Sequence, residues 1–280
     1  MAAEADVNAY HSNFSGRFYR FAVETRGDSL SNKLRARLID ELSALGMQSD
    51  EQVPDLVVSI GGDGTMLQAF HRYADRLGMT AFVGVHTGHL GFYADWTVQE
   101  LPALIAAVSK GLCTLVHYPL LRMVVVYTDS RRAEYLALNE CTVRSSTGLL
   151  AADLSIRDEW FESFRGDGLC FSTPTGSTAY NKGLAGAIVH PSLETFQLAE
   201  IASINNRVYR TLGSPLILPK HHVCQVRPIS GSSFQIGIDH LMEAHDHVQA
   251  LHFSVAQEKV CFARFRPFPF WRRVRDAFIG

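Results

Sequence analysis

Leu30, Leu34, Leu38, Leu42 and Leu45 recur at three- and four-residue intervals with charged residues between them. That spacing is the apolar stripe of a helix from about Leu30 to Leu45, stopped by Gly46. Before it, Phe18 to Val23 has aromatic and β-branched residues at strand length and runs into a turn-prone Arg26-Gly27-Asp28-Ser29. Pro54 to Ile60 is a short, nearly continuous apolar segment, the pattern of a strand covered on both faces. It leads into Gly61-Gly62-Asp63-Gly64-Thr65, after which Met66, Leu67, Phe70 and Tyr73 resume a helical period, and Ala81 to Val85 is again a short apolar strand. Strand, helix, strand, helix, strand is the order of a parallel sheet with crossover helices.

A helix near Leu101 to Lys110 ends at Gly111, and beyond it the texture changes. Leu121 to Tyr127, Tyr135 to Val143, Asp153 to Phe164, Pro215 to Leu218, Phe234 to Ile238, Ala250 to Val255 and Val260 to Phe265 read as strands, with one helical insertion after Gly176. The expected fold is an α/β N-terminal domain with a parallel sheet over residues 1–100, joined to a β-rich C-terminal domain over 101–255. The tail, 256–280, is expected to dock back on the N-terminal domain. Its Arg264-Phe265-Arg266-Pro267-Phe268-Pro269-Phe270-Trp271 run, followed by Arg272, Arg273 and Arg275, suits docking with aromatics buried and arginines solvated. A nucleic-acid contact is the other reading of such a segment.

Charge argues against that second reading. Lys plus Arg number 26 against 28 Asp plus Glu, so no overall positive field holds a polyanion. With 280 residues, 47% hydrophobic and 19% charged, the chain has the composition of a globular protein of about two domains. No apolar run approaches the roughly 18 residues that span a bilayer, and Met1 to Ser15 are polar or small, so neither a membrane partner nor a leader is expected. Cys113, Cys141, Cys170, Cys224 and Cys261 lie far apart with no Cys-x-x-Cys pair, and they read as small buried hydrophobes in a cytoplasmic protein. His240, Glu243, His245, Asp246 and His247 crowd one segment, but no second group stands at ligand spacing, and no resident metal is expected.

Two segments carry candidate chemistry. Gly61-Gly62-Asp63-Gly64-Thr65 lies between a buried strand and a helix, where open α/β sheets place their ligands. Glycine admits positive φ and lets a ligand approach without a Cβ in the way, so the amides around Gly61, Gly62, Gly64 and Thr65 suit a phosphate loop. Asp63 is the anomaly, because a carboxylate repels phosphate unless it orients magnesium or accepts a proton. A tight turn capped by Asp63 is the alternative. Neither Gly-x-x-x-x-Gly-Lys-Ser/Thr nor Gly-x-Gly-x-x-Gly occurs, which disfavours a Walker-type cradle and a hydride-transfer enzyme. The second segment, Arg165 to Tyr180, offers hydroxyls from Ser172, Thr173, Thr175, Ser177, Thr178 and Tyr180 around an expected helix start with free amides at Gly176. A polar nucleotide fits such a surface; an ordinary capped helix is the other reading.

Both segments together, with Asn139-Glu140 between them, resemble the NAD kinase family, whose pattern is Gly-Gly-Asp-Gly, then Asn-Glu or Asn-Asp, then Thr-Pro-x-Gly-Ser-Thr-Ala-Tyr. Lipid kinases and phosphofructokinases share the first motif; the last is specific. The likeness runs from about Phe18 to the tail and includes His86-Thr87-Gly88-His89-Leu90-Gly91-Phe92. It implies transfer of the ATP γ-phosphoryl group to the 2′-hydroxyl of the adenosine ribose of NAD, giving NADP. Asp63 is then the catalytic proton acceptor, with Gly64 beside it. Asn139 and Glu140 bind the dinucleotide, Asp167 faces the nicotinamide end with Arg165 nearby, and Thr178, Ala179 and Tyr180 line the adenine and ribose. Thr175, Asn181, Lys182 and Gly183 complete that stretch, Phe92 walls the pocket and His240 is a phosphate-side contact. Ala202 reaches a neighbouring subunit's site in a homotetramer. Mg2+ arrives with ATP, and polyphosphate is the alternative donor. Where many relatives carry a serine-rich turn ending in Gly-Gly-Pro, this chain has Asn181-Lys182-Gly183-Leu184-Ala185-Gly186-Ala187.

Overall fold

The computed structural model of the chain describes residues 11–88, 91–146, 148–229, 231 and 233–280. Among them the helices are α1 (Ser29–Ala44), α2 (Asp63–Arg72), α3 (Leu101–Lys110), α4 (Tyr180–Gly183) and α5 (Phe270–Phe278). None is long and apolar enough to cross a membrane. The chain divides into two compact units, the first running to Tyr118 and taking in Lys259–Gly280, the second being Pro119–Glu258.

The first unit is an α/β layer structure. Strands Gln48–Ser49, Arg20–Thr25, Leu56–Gly61 and Ala81–His86 lie side by side in that order, all parallel. Ala94–Thr97 also runs parallel to Ala81–His86, and Cys261 and Phe262 pair with Ala81 and Phe82. Asp28 caps α1, its carboxylate accepting the Ser31 amide at 3.0 Å, and Gly46 turns the chain away with φ +85°. Leu34, Leu38 and Leu42 bury on the sheet while the end members of the stripe, Leu30 and Leu45, are exposed. Leu101, Leu104, Ile105 and Val108 of α3 join the same core, which is why that helix belongs to this unit. At its end Gly111 has φ +67° and lies against the Gly16 carbonyl, so glycine is required there twice over.

Lys259–Gly280 packs within this unit. Arg264 and Arg273 both reach Asp95, at 2.7 and 2.8 Å, and all three are buried. Arg266 pairs with Glu100 and lies 4.0 Å over the Trp96 ring. This corrects the expectation of solvated arginines over buried aromatics: Arg264 and Arg273 are inside and Trp271 is outside. A shared carboxylate and the Phe268 ring supply the partners that make burying guanidinium possible.

The second unit is β-rich. Leu216–Pro219, Thr195–Ile201, Gly168–Ser172, Glu140–Ser145, Phe234–Ile238 and Leu241–His245 form one antiparallel sheet in that order. Glu159–Gly166, Leu150–Ile156, Cys224–Pro228 and the first part of Val248–Arg264 run antiparallel in a second layer. Phe164, Phe171, Phe196, Phe234 and Phe253 fill the space between, with Phe171 and Phe253 stacked at 3.7 Å.

Four sequence expectations change in detail. Asp153 to Phe164 is a hairpin, because Arg157 and Asp158 both take positive φ between its strands. Ala250–Val255 and Val260–Phe265 belong to one strand, Val248–Arg264; Gln257 and Glu258 interrupt the apolar pattern by facing solvent, without turning the chain. Tyr135 to Val143 is divided at Leu138 and Asn139. The helical insertion after Gly176 shrinks to a three-ten turn, Thr175–Thr178, and the single turn of α4.

Candidate active site

In the first unit the buried strand Leu56–Gly61 ends beside His86, and α2 begins only two residues later, at Asp63. The expected loop is therefore little more than Gly62. None of Gly61, Gly62 or Gly64 takes positive φ, so their glycine character answers a need for space. For Gly61 the need is internal, since a Cβ would overlap Thr65 Oγ1. For Gly62 and Gly64 it is not: both are exposed, and a Cβ on either would meet nothing within 4 Å among the described residues. Nothing among the described residues calls for glycine at these two positions flanking Asp63.

Asp63 does not cap its own helix. Its carboxylate turns to the 91–93 segment and accepts the Phe92 amide at 2.9 and 3.1 Å and the Tyr93 amide at 3.2 Å. Gly91 has no room for a Cβ, which would overlap Asp63 Oδ1. The half-buried ring of Phe92 stacks on Phe278 at 5.7 Å and lies 6.3 Å from Phe270. His89 and Leu90, part of the motif read in the sequence, lie outside the described residues.

In the second unit three distant segments meet. Asp239, at φ +53°, accepts the amides of Leu138 at 2.9 Å, Asn139 at 2.6 Å and Glu140 at 3.2 Å. Drawing three successive amides to one carboxylate breaks the strand expected over Tyr135 to Val143. Freed from the ladder, the Leu138 carbonyl accepts the hydroxyls of Thr173 and Thr175 at 2.6 and 2.9 Å. Gly176 packs so closely on Asn139 that a Cβ would overlap its carbonyl. Asn139-Glu140, the Thr173–Tyr180 turn and Asp239-His240 thus form one cluster.

The hydroxyl-rich segment differs from its sequence reading. Ser172, Thr173, Thr175 and Ser177 are buried and donate to backbone carbonyls, and the Gly176 amide is taken by Thr173 Oγ1 at 2.9 Å. These groups build the turn rather than face outward as free donors. The outward members are half-buried Thr178 and Ala179 and exposed Tyr180, whose hydroxyl accepts from Arg144 Nη2 at 2.8 Å. Burial pushes the Glu140 carboxyl up to about 8, with the charge of Asp239 adding to the rise and the Tyr180 amide opposing it. Glu140 Oε2 and both amide atoms of Asn181 are buried without a hydrogen-bond partner among the described residues, which is costly unless something else supplies one. Lys182 and Gly183 are exposed beside them, and His240 is exposed next to Asp239.

A further group lies at the end of the Gly168–Ser172 strand. Asp167 is exposed, its amide on the Ile201 carbonyl at 2.9 Å, and the next residue on that partner strand, Ala202, is exposed at φ +46°. Arg165, half-buried, lies 4.5 Å over the Tyr209 ring. Sequence reasoning missed the amides of Phe92 and Tyr93 and the organising role of Asp239; neither leaves a local signal.

A carboxylate at the head of a glycine-flanked helix on a parallel sheet, and in the β-rich unit a polar cluster with buried groups that lack a partner among the described residues, suit a nucleotide-dependent phosphotransferase. Comparison with known proteins gives the particular kind. The ATP-NAD kinase N-terminal domain matches residues 7–113 and the ATP-NAD kinase C-terminal domain residues 138–263. NAD kinase 1 of Bacillus subtilis is 57% identical over 262 residues, covering 93% of this chain and 98% of that protein. Among solved structures, yeast NADH kinase complexed with NADH superposes with TM-score 0.80 at 19% identity, over 95% of this chain and 88% of that one. An Archaeoglobus fulgidus NAD kinase in complex with ATP gives 0.73 at 23% identity, over 92% and 97%. The chain belongs to the NAD kinase family, and it is a kinase that phosphorylates NAD at the expense of ATP.

Proposed function

We propose that Asp63 takes the proton of the adenosine 2′-hydroxyl of NAD as that oxygen attacks the γ-phosphorus of ATP, so that NADP and ADP leave. The observation that carries this is the carboxylate itself. It is held by two backbone amides at the start of α2, between two exposed glycines whose missing side chains no described residue requires. Phosphoryl transfer needs positioning and charge neutralisation above all, and Mg2+ enters with ATP as part of the substrate.

The dinucleotide is bound by Asn139, Glu140, Thr178, Ala179 and Tyr180, with Asn181, Lys182, Gly183 and His240 at the edge of the same cluster. The buried unpartnered atoms of Glu140 and Asn181 support a ligand there. Thr175 acts by holding Leu138, and Asp167 and Arg165 serve the nicotinamide end. Phe92 walls the pocket, and Gly61, Gly62, Gly64 and Thr65 shape the phosphate side. Ala202, exposed at the neighbouring turn, contributes across a homotetramer of a cytoplasmic enzyme. Purified protein, magnesium-ATP and NAD, with NADP followed through a coupled dehydrogenase, tests the reaction, and polyphosphate in place of ATP tests the donor. Folded protein that makes no NADP above background sinks the reading.

A further inference from the structure

Arg273 lies on α5 and is buried, although a guanidinium is costly to bury. Nη1 donates to the carbonyls of Gly91 and Ala94 at 2.9 and 2.5 Å, and Nη2 to Asp95 Oδ1 at 2.8 Å. Gly91 and Ala94 flank Phe92 and Tyr93, the residues whose amides hold the Asp63 carboxylate. Asp95 does not depend on Arg273 for charge balance, because Arg264 reaches its other oxygen at 2.7 Å. What Arg273 adds is a planar fork of which one arm, Nη1, donates to both carbonyls of one short turn while the other, Nη2, is anchored on Asp95. The same helix presses Phe270 and Phe278 against Phe92.

We infer that Arg273 is a positioning residue for the reaction: by pinning the carbonyls of Gly91 and Ala94 it aims the Phe92 and Tyr93 amides that orient Asp63. The inference rests on the reading of Asp63 as proton acceptor. Neither motif of the sequence contains Arg273; among the described residues it makes no hydrogen bond to Asp63 and reaches it through the turn, with the attraction of the two charges acting in addition. Its effect must therefore vanish when Asp63 has no proton to accept.

The test is a double-mutant cycle in the full-length enzyme with Asp63→Asn, Arg273→Met and the pair, measuring kcat and KM for magnesium-ATP per mole of folded protein. Arg273→Met is expected to lower kcat about 10- to 100-fold, the cost of displacing a reacting group by a fraction of an ångström to an ångström, with KM for magnesium-ATP changed by no more than about threefold. In the Asp63→Asn background the same substitution should add almost nothing. Arg273→Lys, which keeps a cation beside Asp95 but not the fork, should fall less; if Arg273→Met does not fold, it takes Met's place in the cycle. An equal loss in both backgrounds, or an undiminished kcat, overturns the inference while leaving Asp63 in place. Near-normal turnover of Asp63→Asn alone instead removes Asp63 from the mechanism, and the brace with it.

Discussion

Asp63 and Glu140 are carboxylates in opposite surroundings, and each makes a separate prediction. Asp63 accepts two amides and stands at a helix start. Asp63→Asn keeps the shape of the side chain and one amide-accepting oxygen but cannot take a proton, so turnover should fall about 10²- to 10⁴-fold while NAD still binds and the fold persists. Near-normal turnover would return Asp63 to a structural role. Glu140 is raised from 4.5 to about 8, chiefly by burial. Folding therefore favours its protonated form: the associated stability is complete below the unfolded value near 4.5 and is lost as pH rises through about 8. Glu140→Gln is neutral throughout, so its melting temperature should gain on the natural protein between pH 5 and pH 9, by about 2–4 °C for each kcal/mol recovered. A gap that stays constant with pH would show that Glu140 remains charged in the fold. Asp63 was visible in the sequence because a carboxylate among glycines is chemically out of place. The amides that hold it were not, since backbone donors carry no residue signature and these stand about thirty positions away.

Elements show the same division. The leucine stripe of α1, the stop at Gly46 and the close of α3 at Gly111 were legible because they depend on local spacing and backbone freedom. The break at Leu138 and Asn139 was not, because the carboxylate that causes it is Asp239. Gly64, in the first turn of α2, separates local from ligand-driven demands. It is exposed and an added Cβ meets nothing within 4 Å among the described residues, so Gly64→Ala should leave the helix intact and stabilise it by up to about 1 kcal/mol. A substrate phosphate approaching that face would meet the new methyl, and KM for ATP should rise by about tenfold, some 1.4 kcal/mol of lost binding. A stabilised variant with unchanged KM would show that no ligand passes there.

At the scale of the whole molecule the five cysteines give one more test. All are free and buried, and burial pushes Cys113 up to about 11 and Cys224 and Cys261 up to about 12, with Cys141 and Cys170 also raised. Thiols held protonated and covered react slowly, so the native protein should resist a thiol reagent at pH 8 while all five react after unfolding. Rapid labelling of the native protein, or an intact mass lowered by a disulfide, would contradict this. Sequence alone determined the α/β and β-rich halves, the helices with a regular apolar period, the carboxylate among glycines and the motifs of a dinucleotide kinase. All of these are written in neighbouring residues, through side-chain period, glycine and the order of elements. Tertiary structure alone decided which hydroxyls of the Thr-Pro-Thr-Gly-Ser-Thr segment turn inward, that two tail arginines are buried on Asp95, and which amides hold Asp63 and Asn139. Those outcomes depend on which donor reaches which acceptor after the chain has folded, and a hydrogen bond is set by distance and angle, which spacing along the chain does not encode.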